Sequence, residues 1–402
     1  MQGLKNIYHL FQAILANFFY RWPAKKLKVI GVTGTDGKTT TTHLIYHLLK
    51  SSGKKVSMIS TVEAKVADQQ IDTGLHTTTP NPFQIQRLLR QAVDNGDEYF
   101  VLEITSHGLD QNRDFGINYY IGVITNITHE HLDYHKNYEN YLRTKAKLLL
   151  RSKISIINKD DQSYKKLKKL LSNKKVYSYS TKQKADFIWN KKIITQLKGD
   201  FNQENILAAY SVAILVGIKE KEILAAIKSF TAPIGRLQLV YDSSFKVIVD
   251  FAHTPNAIAK ALKVIKKNFL CDKGKIIHVF GSAGLRDASK RPLMGQASAK
   301  YADLVILTEE DYRTEDPYLI SRQIAQGLIK AGFKEAHNWQ NLIDKTFFII
   351  IDRKKAIEKA LSLAKKNDIV VCTGKAHEKS LCRGKKEYPW DEIKVIKNIL
   401  AK

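Results

Sequence analysis

Only three cysteines occur in the chain, Cys271, Cys372 and Cys382. No pair has zinc or redox spacing, and an odd number builds no disulfide framework. Reduced thiols and a cytoplasmic location are expected. Glycine (21) and proline (8) are also sparse, and 44% of the residues are hydrophobic, which excludes a disordered or low-complexity chain. Acidic residues are outnumbered, 39 Asp and Glu against 65 Lys and Arg, a formal charge of +26. Such a balance can signal nucleic acid, an anionic membrane or anionic substrates. The excess, however, is mostly Lys scattered among Ile and Asn. No Arg-rich stripe, interleaved aromatic run or helicase-type motif stands out, so no nucleic-acid partner is expected. No segment is apolar and long enough to span a bilayer.

The first 22 residues place Leu4, Ile7, Leu10, Phe11, Ile14, Leu15, Phe18 and Phe19 at helical spacing, interrupted by Lys5, His9, Gln12 and Asn17. No small-residue cleavage site follows, which argues against a signal peptide. A helix docked on the next domain is expected, with weak contact to a membrane surface as the alternative.

With 402 residues the chain is too long for one ordinary core. Apolar runs at 27–33, near 56, 99–104, 120–125 and 154–158 alternate with helical stretches at 38–51, 82–94 and 137–150, the pattern of a parallel α/β sheet. Residues 180–200 are polar and Lys-rich. Helices are expected from Asn205 to about Val216 and over 219–229. Pro233-Ile234-Gly235 reads as a hinge. A second α/β series follows, with strands near 246–251, 275–280, 303–308 and 368–373 and helices near 256–267, 290–300, 317–331 and 353–366. The expected division is a helical segment 1–26, a central P-loop ATPase domain 27–232 and a C-terminal Rossmann-like α/β domain 233–402.

GVTGTDGKT at 31–39 follows a strand and opens a helix, the setting a phosphate loop needs. Gly34 and Gly37 let N–H groups turn inward, and the helix N-terminus adds a positive dipole end. Lys38 can reach the β- and γ-phosphates, and the Thr39 hydroxyl can hold Mg²⁺. Thr35, Asp36 and Thr40 complete the cradle. The usual P-loop has Gly five residues before Gly37; Val32 stands there, and Gly31 and Gly34 give a variant spacing. Glu103 ends a strand after an apolar run, where a carboxylate can bind Mg²⁺. TNITHEHLDYH, 125–135, ends another strand with three His and two carboxylates, a pattern that alone is ambiguous between metal ligation and polar packing.

These motifs, in order, resemble the Mur ligases, and among them most the UDP-N-acetylmuramyl-tripeptide synthetases, which add the third amino acid of the peptidoglycan stem peptide. The resemblance runs from about residue 28 to 390. It implies an ATP-dependent amide-bond ligase that activates a carboxylate as an acyl phosphate and joins it to an amine. It puts His131 near a second Mg²⁺, Asn126 and Asp133 in the ATP-side wall, and His129 and His135 as polar neighbours. It implies that Lys145 is carbamylated by CO₂; a desolvated Lys loses its proton more easily and the neutral amine can add CO₂. By its context alone Lys145 is an ordinary Lys in a Lys-rich chain. Lys147 should face elsewhere.

The resemblance further implies that HTTTP, 76–80, binds the muramyl peptide through Thr78 and Thr79, with Ser106, Gln111 and Arg113 on the same surface. In GDFNQEN, 199–205, Asn205 lies against adenine and Asn202 caps the helix. Arg236, Asp250, His253 and Asn256 contact the nucleotide from the second domain, which makes domain closure a condition of chemistry. Arg286 holds the incoming amino acid's carboxylate, with Lys290 and Arg291 adding positive potential. TEEDYRTEDP, 308–317, stands where the family has DNPR, the motif for meso-diaminopimelate. Glu310, Asp311 and Tyr312 replace its first three residues and Arg313 is retained, so diaminopimelate is expected, while the acidic change would also suit an amine such as that of lysine. GKAHE, 374–378, matches GKGHE, with Gly374 and Glu378 at the amino group. Asp36 and Ala376 depart from the family's Asn and Gly.

The expected reaction adds meso-diaminopimelate to a UDP-N-acetylmuramyl dipeptide-like carboxylate in peptidoglycan synthesis, with ATP, Mg²⁺ and carbamylated Lys145, in a monomer. With about 27 residues before the P-loop strand, the relatives' domain that grips uridine diphosphate is expected to be absent or replaced. The alternatives are a ligase of folate-polyglutamate or cyanophycin type, or a non-catalytic nucleotide-binding protein.

Overall fold

The structure, a computed structural model, describes residues 2–67, 69–71, 79–128, 132–336, 338 and 344–401, with the side chains of Gln2, Leu4, Leu132 and Asp133 outside it. The chain divides into two compact units, Met1–Pro233 and Ile234–Lys402.

The strands of the first unit are β1 (Lys28–Thr33), β2 (Val56–Ile59), β3 (Ala64–Val66), β4 (Gln69–Ile71), β5 (Tyr99–Glu103), β6 (Tyr119–Ile124), β7 (Ser152–Asn158), β8 (Lys175–Ser180) and β9 (Phe187–Ile188). They form one sheet in the order β4-β3-β2-β5-β1-β6-β7-β8-β9. The hairpin β2-β3-β4 is antiparallel and the remaining pairs are parallel. The helices are α1 (Gln2–Phe19), α2 (Lys38–Ser51), α3 (Pro82–Asp94), α4 (Ser106–Asp110), α5 (Leu132–His135), α6 (Tyr138–Leu150), α7 (Tyr164–Leu170), α8 (Asp200–Leu215) and α9 (Glu220–Ser229). In the central strand β1 every residue after Lys28 is buried, so both its faces are covered, as the apolar run VIGV requires. One face packs against α2, α8 and α9 through Ile30, Val32, Leu44, Leu48 and Ile206. The other carries Val29, Leu88, Leu102, Leu109 and Leu148. Burying each such Leu or Ile contributes roughly 1.5–3 kcal/mol.

Strand order places β5 and β6 on either side of β1. Their C-terminal ends therefore flank the loop after β1, the crevice where open α/β sheets bind ligands. Gly31 lies inside β1, not in the loop. A Cβ there would stand 2.5 Å from Leu148 Cδ1 and 2.7 Å from the Tyr119 ring. Its absence lets α6 lie close on β1, and α6 carries Lys145.

In the second unit the strands are β10 (Gln238–Asp242), β11 (Lys246–Asp250), β12 (Ile276–Phe280), β13 (Leu304–Leu307), β14 (Lys334–Glu335), β15 (Thr346–Ile349), β16 (Ile369–Thr373), β17 (Ser380–Arg383) and β18 (Lys386–Pro389). The sheet runs β10-β11-β16-β12-β13-β15-β14, parallel except for β10. β17 and β18 form a separate hairpin. The helices are α10 (Pro255–Asn268), α11 (Lys290–Ala299), α12 (Pro317–Lys330), α13 (Arg353–Leu363) and α14 (Glu392–Leu400). Thr254, Asp316, Asp352 and Asp391 cap four of them by accepting backbone N–H bonds.

The α/β reading of both halves agrees with the structure. The strands β3, β4, β8, β9, β10, β14 and β15 and the hairpin β17-β18 were not foreseen. α8 begins at Asp200, five residues before the expected Asn205, because Gly199 at φ 96° starts the helix without any side-chain cap.

Candidate functional site

α2 begins immediately after Gly37, which adopts φ 82° and is the N-cap of that helix. A side chain at 37 would be strained there, and its Cβ would stand 2.2 Å from Asn205 Oδ1. Asn205 of α8 is thus pressed against the phosphate loop; its Oδ1 also accepts from Thr41 Oγ1 at 3.4 Å. Asn202 does not cap the helix. Its Nδ2 donates to Lys198 O and its Oδ1 accepts from Asn205 Nδ2, so it orients Asn205.

Residues after β6 brace the loop. Asn126 Oδ1 accepts from Asp36 N at 2.9 Å, and Asn126 Nδ2 and Thr125 Oγ1 donate to Asp36 O. Thr35 N donates to Asn126 O, and Thr35 Oγ1 meets Tyr141 OH at 3.2 Å and accepts from Thr128 N. Gly34, at φ 154°, faces Thr125 Oγ1 where a Cβ would be. Lys38 folds back, its Nζ donating to Thr35 O at 2.8 Å. Thr40 is buried.

Glu103, fully buried at the end of β5, accepts from Thr39 Oγ1 at 3.0 Å. Its carboxylate also takes Thr61 Oγ1 at 2.7 Å and Thr61 N at 2.8 Å. Thr61 follows β2 and carries no motif in the sequence, so only the fold finds it. A carboxylate and a hydroxyl converging beside a helix N-terminus are hard oxygen donors, suited to Mg²⁺ with phosphate and water filling its other positions. Among the described residues no group of three or more His, Cys, Asp or Glu is placed to hold a metal ion. Lys145, 1% exposed, donates to Gly34 O at 2.6 Å, with Nζ 4.6 Å from the Tyr141 ring centroid. Lys147 points elsewhere, to Asp110 at 3.3 Å. His129, His131 and Thr78 lie outside the described residues, as does the side chain of Asp133.

Next to this loop, Thr79 Oγ1 accepts from Thr105 N and meets Thr105 Oγ1. Arg113 donates to Thr79 O at 2.7 Å and to Gln111 Oε1 at 2.8 Å. Ser106 Oγ meets His135 Nε2 at 3.0 Å. Burial pushes the His135 imidazole down to about 4, Asp110 opposing and Lys145 adding to the shift, so the ring is neutral at pH 7. Thr79, Gln111 and Arg113 are thus joined by hydrogen bonds, while buried Ser106 is bonded to His135.

In the second unit, Asp250 at the end of β11 accepts from Leu237 N and Ala252 N, both 2.8 Å. Burial raises its pKa against the pull of Arg236. Arg236 stacks 5.0 Å over Phe251. His253 Nδ1 meets Phe251 O at 2.9 Å, and Lys290 donates to His253 O. His377 packs 4.5 Å from Phe251, and burial with Arg236 lowers it to about 3. His377 sits inside GKAHE but escaped the sequence reading.

Between β13 and α12 the acidic segment is sorted by its partners. Asp311 is ion-paired with Lys375 Nζ at 2.8 Å and accepts from Cys382 N. Lys375 also reaches Glu378 at 2.5 Å. Glu310 is buried, its Oε2 has no hydrogen-bond partner and lies 2.8 Å from where a Cβ on Gly374 would be. Burial raises its pKa, opposed by His253, Lys290 and Lys375. Arg313, at φ 54°, donates through Nη1 to Gly284 O at 2.7 Å, and its N–H donates to Cys382 O. Arg286 is exposed. Arg291 is not a source of free positive potential: it is 2% exposed, pairs with Glu315 at 2.8 Å and donates to Gln323. Beneath this segment Glu309 pairs with Arg383, and buried Arg353 binds Glu392 through two bonds of 2.6 and 2.7 Å while donating to Glu309 O and Thr373 O. Arg353, Lys375 and Arg383 carried no motif that singled them out.

A phosphate loop on a parallel sheet, with a carboxylate and hydroxyl at its edge, defines an ATP-using enzyme. The Mur ligase middle domain profile matches residues 32–213 and the Mur ligase, glutamate ligase domain profile matches 235–376. UDP-N-acetylmuramoyl-L-alanyl-D-glutamate--2,6-diaminopimelate ligase of Aquifex aeolicus is 38% identical over 405 residues, 96% of this chain and 80% of that protein. UDP-N-acetylmuramyl-tripeptide synthetase of Borreliella afzelii is 38% identical over 421 residues, 97% of this chain and 80% of that one. A solved UDP-N-acetylmuramoyl-L-alanyl-D-glutamate--2,6-diaminopimelate ligase superposes with TM-score 0.60 at 30% identity, covering 93% of this chain and 78% of its own. MurF of Acinetobacter baumannii, at 14% identity and TM-score 0.71 over 98% of this chain and 81% of its own, shares the fold. The chain belongs to the Mur ligase family of ADP-forming, ATP-dependent ligases.

Proposed function

We propose that the chain joins meso-diaminopimelate to the D-glutamyl carboxylate of UDP-N-acetylmuramoyl-L-alanyl-D-glutamate, consuming ATP, in peptidoglycan synthesis. The first unit, in this reading, binds ATP and activates the acid, and the second binds the amino acid. The observation that carries the choice of amino acid is the Lys375–Asp311 ion pair. The acid standing where the family has Asn is neutralised from within, so it does not select a cationic lysine side chain. Arg313 is left as the planar fork suited to a distal carboxylate.

The carboxylate oxygen attacks the γ-phosphorus as the bond to the ADP oxygen breaks, giving an acyl phosphate. The first N–H groups of α2 and the Lys38 ammonium would spread the charge of the transferring group, the main contribution expected in phosphoryl transfer. The amine nitrogen then attacks the acyl carbon, loses a proton, and inorganic phosphate leaves. Thr39 and Glu103 would hold Mg²⁺, which when bound neutralises phosphate charge; His131 belongs to the same proposal. Asn205, Arg236, Asp250 and His253 are proposed to contact ATP, Thr79, Ser106, Gln111 and Arg113 the muramyl peptide, and Arg286, Glu310, Gly374 and Glu378 the amino acid. Carbamylation of Lys145, in which its amine adds to CO₂ and releases a proton, is supported by the burial of that amine beside Gly34 O. Replacing Lys145 with Ala should abolish turnover, with partial recovery in added formate; undiminished turnover rejects the carbamate. The free thiols fit a cytoplasmic protein, and a monomer is the proposed working state.

The test is ADP release by purified chain with the muramyl dipeptide and a panel of amino acids. Release with diaminopimelate is expected. Release with lysine alone overturns the specificity, and no release with any amino acid overturns the reaction.

A further inference from the structure

α1 is folded the wrong way round for a helix of a water-soluble surface. Its small and polar residues face inward: Ala13, Ala16 and Asn17 are fully buried. Asn17 Nδ2 donates to Phe115 O at 2.7 Å, and Asn6 Nδ2 to Asp110 at 3.1 Å, tying the helix to the residues around α4. The opposite face holds Ile7, Phe11, Ile14, Leu15, Phe18 and Phe19, which at 3.6 residues per turn form one continuous stripe. Phe11 is 60% exposed, Phe19 71% and Phe18 79%. Ordinary amphipathic helices bury that stripe. Contiguous exposed apolar surface of this kind marks a docking face.

Charge identifies what covers it. Residues 1–35 contain no Asp or Glu, whereas Lys5 stands exposed in the first turns of the helix, Arg21 just past its end, and Lys25 and Lys26 in the 3₁₀ turn that follows. Trp22, against which Lys25 Nζ lies at 5.1 Å, adds an aromatic side chain of the type found at the lipid headgroup level. The whole chain carries +26. Among the described residues no helix is long and apolar enough to cross a membrane. A short helix with an apolar stripe, aromatic residues and cations at both ends is what binds in the plane of an anionic bilayer.

We propose that α1 docks the protein on an anionic phospholipid surface, its apolar stripe entering the headgroup–acyl boundary and its terminal cations facing lipid phosphates. The proposal rests on α1 alone and is independent of the reaction assigned above.

Vesicle co-sedimentation of the full chain tests it. Wild type should pellet with vesicles containing about a third phosphatidylglycerol and far less with pure phosphatidylcholine, and raised salt should release it. Phe11→Ser with Phe18→Ser, both outside the proposed active site, should weaken binding by about tenfold or more while the circular dichroism melt is unchanged. Lys25→Glu with Lys26→Glu, which leaves the stripe intact, should also weaken binding to anionic vesicles. Wild type that stays in the supernatant overturns the proposal. So does binding that survives both double substitutions. Concentration-dependent dimerisation in sedimentation velocity, lost in the Phe11→Ser/Phe18→Ser variant and unaccompanied by vesicle binding, overturns it in favour of a second copy.

Discussion

The phosphate loop of the first unit and the acidic segment of the second hold their side chains by different means. Around residues 34–39 the contacts are hydroxyls, amides, backbone groups and the Lys38 and Lys145 ammoniums on loop carbonyls, with Glu103 steadied by Thr39 and Thr61. Around 309–313 ion pairs join the backbone contacts: Asp311 pairs with Lys375 and Glu309 with Arg383, and beneath them Arg353 pairs with Glu392. Hydroxyl, amide and carbonyl contacts leave the first site able to reorganise when a ligand's charge arrives. Buried pairs fix the second before any ligand is present, because breaking one strands a charge in low dielectric. Substitutions in the first site should therefore be felt in rate, and those in the second in stability.

Lys38→Met is the largest expected effect. Turnover should fall about 10³-fold, with unfolding of both units unchanged. An equally large loss of stability, read by denaturant unfolding, would erase the contrast. Arg353→Met should do the reverse, destabilising the second unit by about 3–5 kcal/mol because Glu392 is left buried without its partner. Intrinsic fluorescence and circular dichroism in urea would measure it.

A smaller effect comes from His278, fully buried with its ring nitrogens 2.8 and 3.0 Å from Ser298 Oγ and Thr373 Oγ1. Burial, then Arg353, lowers it from 6.5 to about 3. The unfolded chain binds a proton that the folded chain refuses. Its contribution is complete above pH 6.5 and is lost as pH falls towards 3, at up to about 1.4 kcal/mol per pH unit. His278→Asn should flatten that acid slope in urea titrations between pH 7 and 5. His135 in the first unit, at about 4, leaves some slope there too. The smallest effect is Ala376→Gly. Ala376 sits at φ 38°, a left-handed conformation costly for a residue with a Cβ, and glycine should stabilise the second unit by about 0.5–1 kcal/mol in thermal melts.

Apolar runs bounded by turn residues were readable because a parallel strand buried on both faces is apolar along most of its length, as in β1, β5 and β13. The short edge strands escaped, since a two- or three-residue pairing such as β9 or β14 is decided by neighbours rather than by local pattern. The phosphate loop was readable for its glycines and Lys38. Thr61 was not, because it reaches Glu103 from the end of a different strand. Arg291 read as a free cation; its pairing with Glu315 depends on α11 and the 308–317 segment meeting in space. Charge counts along a chain carry no information on such partners.

α14 has a bearing beyond packing. Its first residue, Glu392, lies under Arg353, which in turn touches the carbonyls of Glu309 and Thr373. The backbone leading into Glu310 and Arg313 and the one leading into Gly374 thus share a single buried guanidinium. Whatever shifts the last helix shifts both segments in concert, so the selectivity of the proposed amino-acid pocket should respond to a position remote from the substrate.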